Sequence, residues 1–274
     1  PYATLDKAVD AATDGTTIYV MSNLTMTKCA RFYSKSLTIT SGEGGPYTVT
    51  RSEGFATQKD IARSWYNPAM VEVQTNGDKP AGLTLTNIIL DDAGKHEGTV
   101  FAQAVSDDGT GTSDTRQNAV YVQDAIIASN ATVPSTITLG DGAVLRNFGG
   151  MSAVRVTNEA KLVMESGSVI EDTTITTRGS ESDKNDAAKG PAGAVWLQGG
   201  SFEMQDGAKI QNVNGRAVYV DGGEASIGGT ISGITGNVNM WQNKQDKNNK
   251  NNKVISGTAI HLRNTNATAT LTST

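Results

Sequence analysis

The segment "GAVWLQGGSFEMQDGAKIQNVNGRAVYVDGG", Gly193 to Gly223, states the word "AVWLQGG" and restates it as "AVYVDGG" 23 residues later. Related words begin at Met70, Ala119, Ala153 and Ala259. A second family reads "GAVLRNF" at Gly142, "GSVIEDT" at Gly167, "GAKIQNV" at Gly207 and "GTISGIT" at Gly229. Between them lie "STITLGD", "AKLVMES", "GSFEMQD" and "GEASIGG". Each word alternates apolar and polar residues and stops at Gly, Asn or Asp. That pattern marks a short strand followed by a turn. A unit this short cannot bury its own apolar side, so it must stack on its copies about 4.8 Å apart. The expected fold is all-β: a single-stranded right-handed parallel β-helix with three short strands per coil and about seven coils. The frames of leucine-rich repeats and propeller blades are missing.

The N-terminal segment "TLDKAVDAATDG" places Leu5, Ala8, Val9 and Ala12 on one helical face, with Gly15 as a stop. Residues 1–16 are therefore expected to form a capping helix over the open end of the stack. Residues 17–274 carry the coils, as one domain over 1–274. The material in excess of the minimal repeat falls near 54–69, 91–118, 172–192 and 237–257, with a further stretch at 124–136. Inserts at one corner of a stacked repeat project from one edge. The low-complexity run "NKQDKNNKNNK" reads as a mobile loop.

The helix running into "DGTTIYV", the segment "KSLTITSGEGGPYTVTR" and the Gly- and Asn-punctuated coils resemble the pectate-lyase-like β-helix modules of Gram-positive cell-surface proteins. The resemblance implies an extracellular module, secreted or displayed on a bacterial surface. The start at Pro1 and the end "NATATLTST" read as a piece cut from a longer protein.

Alternation puts the middle residue of each "AV" word outward. The outward row is Glu72, Tyr121, Arg155, Trp196, Tyr219 and His261. Beside it lie Gln74, Gln123, Thr157, Gln198, Asp221 and Arg263. Flat rings next to amides and a carboxylate suit a sugar, whose C–H faces stack while its hydroxyls hydrogen-bond. Tyr121, Gln123, Arg155, Trp196, Gln198, Tyr219, Asp221 and His261 are the expected ligand-binding residues. The structural alternative is that these side chains stack only on one another. The expected function is noncatalytic recognition of a glycan or a host surface protein by an adhesin-type module, working as a monomer. The alternatives are a β-helix glycoside hydrolase or polysaccharide lyase, with Glu72, Asp124 and Asp221 as candidate carboxylates, and a structural stalk. The "N-T-D", "D-D" and "G-H-G" set of polygalacturonases is missing. So are the Asp-rich calcium cluster and paired Arg of pectate lyases.

A net charge of −5 with interspersed signs gives no field for a phosphate backbone, so no nucleic-acid partner is expected. No apolar run has the length of a membrane span. The one cysteine, Cys29, is expected as a small core residue. With only His96 and His261 as histidines, no cofactor and no metal site are expected. The oxygen-rich loop Ser106 to Asp114 offers a calcium alternative to a solvated turn.

Overall fold

The computed structural model describes residues 1–52, 69–75, 78–93, 126–129, 133–150, 152–157, 159–175, 193–239, 253–255 and 257–272. Among these the chain is almost all β, with one helix and two large parallel sheets. In the larger sheet, Thr17–Val20, Ser36–Ser41, Ala81–Thr86, Ser135–Leu139, Lys161–Met164 and Val195–Met204 lie side by side. The same sheet returns through Val154–Val156, Ile126–Ser129 and Val71–Gln74 to Ala30–Tyr33. Arg216–Ile227 pairs with Val195–Met204 and carries Thr258–Leu262 and Ala267–Leu271. The smaller sheet stacks Leu24–Met26, Tyr47–Arg51, Ile88–Asp91, Ala143–Arg146, Val169–Ile175, Lys209–Asn214 and Thr230–Ser232.

The repeated words pair in register. Val195 faces Val218 and Leu197 faces Val220, all four fully buried. Elsewhere Leu37, Leu83, Ile137, Leu162 and Phe202 form one inward column across five strands. Each is 2% exposed or less. Burial of one such side chain stabilises by about 1.5–3 kcal/mol, so a column of them outweighs any single turn or cap.

Two strands serve both wings of the larger sheet, Val195–Met204 and its neighbour Arg216–Ile227. Val195–Leu197 pairs with Val154–Val156, whereas Ser201–Met204 pairs with Lys161–Met164. The change of direction falls at Gly199 and Gly200, with φ of 150° and 71°. A Cβ on Gly200 would lie 2.0 Å from the Ala160 carbonyl oxygen. Glycine is therefore required at this corner on two counts: a left-handed φ and a backbone contact that leaves no room.

The helix spans Leu5–Ala11, shorter than the 1–16 segment that the sequence suggests. Leu5 and Val9 are buried, while Ala8 and Ala12 are half-buried. The helix packs chiefly on Ala30–Tyr33. Lys35 Nζ donates to the Val9 and Ala12 carbonyls at 2.7 Å each, placing a cation at the helix C-terminus where the peptide dipole favours it. Cys29 is half-buried against the edge of the core rather than inside it.

Several expected inserts contain paired strands. Ile126–Ser129 occupies a full place in the larger sheet, within the 124–136 stretch read as extra. Residues 172–175 belong to the strand Val169–Ile175. The 237–257 stretch begins and closes as an antiparallel pair, Asn237–Asn239 with Lys253–Ile255. The expected inserts at 54–68, 94–118 and 176–192, the loop Ser106 to Asp114, His96 and most of the polar run from Asn243 lie outside the described residues.

The interior also holds a charge pair. Arg51 Nε and Asp92 Oδ1 are 2.8 Å apart with both side chains fully buried. The Arg51 guanidinium lies 5.8 Å from the Phe148 ring centroid.

Candidate functional site

The outward row forms on the second wing of the larger sheet. Glu72 pairs with Ile127, Ile127 with Arg155, Arg155 with Trp196, Trp196 with Tyr219, and Tyr219 with His261. The place expected for Tyr121 is held by Ile127. Tyr121, Gln123 and Asp124 lie outside the described residues. The second row is also corrected. Gln198 pairs with Gly222, not with Asp221, because the register slips by one residue between Leu197 and Ser201. Equal spacing in the sequence does not reveal a slip that is reversed by Ser201.

The rings are covered. Trp196 is 3% exposed and Tyr219 is 0% exposed, although both lie on the face opposite the core column. Their π-faces are engaged as well. The Arg155 Cζ sits 5.2 Å from the Trp196 ring, and the Arg216 Cζ sits 5.1 Å from the Tyr219 ring. His261 stacks on Tyr219 with centroids 5.1 Å apart and planes at 15°. Each such contact contributes on the order of 1 kcal/mol. The open ring platform expected from the sequence is replaced by a closed stack of rings and cations.

What remains unsatisfied is the polar edge of the two rings, which is buried with them. Among the described residues, Trp196 Nε1 and Tyr219 Oη are buried without a hydrogen-bond partner, on paired positions of neighbouring parallel strands. A buried donor without an acceptor costs about 1–3 kcal/mol, and native proteins seldom leave one. Here two belong to residues paired across neighbouring strands.

Around them the remaining site residues divide by exposure. Arg155 and His261 are half-buried and Gln198 is exposed. Asp221 accepts from Arg263 Nη1 at 3.1 and 3.2 Å and from Asn264 Nδ2 at 2.8 Å. Burial holds the Tyr219 hydroxyl above its ordinary pKa. Burial, then the charges of Arg216 and Arg263, hold His261 below its ordinary value, which makes it a neutral ring at pH 7. At the far end of the row, buried Glu72 accepts from Arg31 Nε and Gln74 Nε2.

Arg216, absent from the sequence-level site, is 3% exposed and belongs to it. One signal marked it. Of the residues immediately before the "AV" and "AI" words (Asn118, Ser152, Gly193, Arg216 and Thr258), it alone is charged. Gly193 makes room for Tyr219, since a Cβ there would lie 2.8 Å from the Tyr219 Cβ.

The other wing presents an open polar trough lined by Lys161, Glu203, Gln205, Glu224, Ser226 and Thr270. Lys161 Nζ binds Glu203 Oε2 at 2.9 Å, and Gln205 donates to Oε1 at 3.1 Å. Its one described ion pair is Lys161 with Glu203, both partly exposed, a contact of small energetic weight. Among the described residues no group of three or more His, Cys, Asp or Glu is placed to hold a metal ion. No family model and no curated protein matches the sequence, so the chemistry must be read from this geometry.

Proposed function

We propose that the chain is a right-handed parallel β-helix of about seven coils, three short strands to a coil, capped at its N-terminal end by the helix Leu5–Ala11. In this reading it serves as a noncatalytic binding module, displayed outside a bacterial cell, that takes a glycan or host surface ligand on the outer face of the larger sheet. The single observation that carries the reading is the pair of orphaned donors, Trp196 Nε1 and Tyr219 Oη. A fold that aligns two buried donors on neighbouring strands has a use for an acceptor there.

The catalytic alternative loses its best described pair. Glu72 and Asp221 are four strand-to-strand steps apart in the sheet, about 19 Å. Glycoside hydrolysis needs two carboxyl groups about 5–10 Å apart across one bond. Both carboxylates are also engaged, Glu72 by Arg31 and Asp221 by Arg263. The stalk alternative is favoured by a different observation, the closed stacking of Tyr219 between its neighbours.

Tyr219→Phe separates binder from stalk, because it removes one oxygen and keeps the ring. Loss of a buried, unpartnered hydroxyl leaves stability unchanged or raises it by up to about 1 kcal/mol. A glycan array should show binding reduced on the order of tenfold or more, the weight of one buried hydrogen bond to a ligand. A variant that binds like the parent would remove Tyr219 from the binding surface, and a parent that binds nothing on the array would favour the stalk.

A further inference from the structure

The first wing of the larger sheet opens with Thr17–Val20 and closes with Ala267–Leu271. Among the described residues no strand pairs with the outer edge of either. An inward column runs between them, from Ile18 and Ile39 to Ile227 and Leu271. Its members from Ile39 to Ile227 are 5% exposed or less, yet Leu271 is 72% exposed. On the second wing the column of Leu197 and Val220 stops in the same way at Leu262, 47% exposed. Open sheet edges are normally guarded by Lys, Pro or a bulge. Neither Thr17–Val20 nor Ala267–Leu271 holds a charge or a proline. The helix does not close the first edge, because it packs chiefly on Ala30–Tyr33. Beside Thr17–Val20 it leaves a groove of about 450 Å³, whose lining includes Leu5, Ala8, Ala12, Ile18 and Leu24.

The main chain specifies what fits. The Leu85, Leu139, Met164, Met204 and Ile227 carbonyls each accept one amide from the next strand, at 2.6–2.9 Å. The donors run from Gly140 to Thr272, and each directly follows the next member of the column. By the same rule, a strand laid on Ala267–Leu271 presents to Leu271 the amide after its own column residue. In Thr17–Val20 that amide is Tyr19, after Ile18. The two open edges are thus the two sides of a joint that the sheet makes at every step. We propose that a second copy of this chain occupies them, with Ala267–Leu271 of one copy paired in parallel with Thr17–Val20 of the next. Leu271 then stacks on Ile18 beside the groove, and its carbonyl accepts the Tyr19 amide. The paired surfaces differ, so the contact is head to tail, does not close on itself and adds copies in an open row. This association needs no ligand and stands apart from the binding-module reading.

Sedimentation velocity of the 274-residue chain across micromolar to millimolar concentrations tests it. The average mass should rise with concentration and pass that of a dimer. Leu271→Lys puts a charge at the end of the column and should weaken association at least about tenfold, the weight of one buried leucine. Tyr19→Pro removes the amide at the other end and should weaken association similarly, since an edge strand tolerates proline. Equimolar mixing of the two variants supplies one intact end from each and should restore a dimer and nothing larger. A parent that stays monomeric throughout would overturn the proposal. So would a Tyr19→Pro variant that associates like the parent, which marks two-fold pairing of Ala267–Leu271 with itself. Association of Leu271→Lys at the parent's strength would overturn it too. The same holds for a mixture of variants that each melt like the parent yet fail to dimerise.

Discussion

Asp92→Ala should cost about 3–5 kcal/mol of folding stability, although Asp92 lies on no surface that a ligand could reach. Its carboxylate is fully buried 2.8 Å from the equally buried Arg51 Nε. Removing it leaves a guanidinium inside the core. Desolvating one such ion costs several kcal/mol even after relaxation. The Phe148 face, 5.8 Å from the guanidinium, offsets only a cation–π increment of about 1–2 kcal/mol. The converse experiment distinguishes a destructive loss from a net contribution by the pair. Arg51→Met with Asp92→Leu replaces both charges by apolar volume and should be neutral or stabilising by about 1–4 kcal/mol. Urea unfolding of the two variants at one temperature reads both outcomes. A cost below about 1 kcal/mol for Asp92→Ala would mean that other groups around Arg51 carry its charge without Asp92.

The architecture was legible because a parallel stack repeats its register in its sequence. The 23-residue interval predicted that Val195 would meet Val218 and that Leu197 would meet Val220, and they do. Aligning the repeated words also predicted the row Arg155, Trp196, Tyr219 and His261, although only Trp196 and Tyr219 are separated by that interval. Three features were hidden, each for its own reason. Parity assigns a side chain to the outer face but does not say whether that face is covered, so Trp196 and Tyr219 read as a platform. The strand Ile126–Ser129 has the sequence IIAS, without the apolar and polar alternation that marked the other words. Arg51 was visible in "YTVTR", where it shares parity with buried Val49, yet a pattern search for apolar residues passes over a charged one. Its partner lies 41 positions along the chain, and only the fold brings the two together.

The corner at Gly200 carries the other large effect, and it can be isolated from ordinary glycine strain. Gly200→Ala places a Cβ 2.0 Å from the Ala160 carbonyl oxygen. That oxygen accepts the Ser201 amide at 3.0 Å, so it cannot withdraw without breaking a bond of the sheet. The backbone also holds φ at 71°, which L side chains rarely adopt. Left-handed strain costs about 1–3 kcal/mol and overpacking about 1–3 kcal/mol more, giving an expected loss of about 3–5 kcal/mol. Gly15 supplies the control. Its φ is 76°, nearly the same, but a Cβ there meets nothing within 4 Å. Gly15→Ala should therefore cost only the conformational part, about 1–2 kcal/mol. The difference between the variants measures the closeness of the neighbouring strand at the corner. Amide exchange localises it, with Ser201 losing protection in Gly200→Ala and keeping it in Gly15→Ala. Equal costs in the two variants would mean that the corner relaxes freely. The tight packing of Gly200 on Ala160 would then not be what lets one strand serve both wings of the sheet.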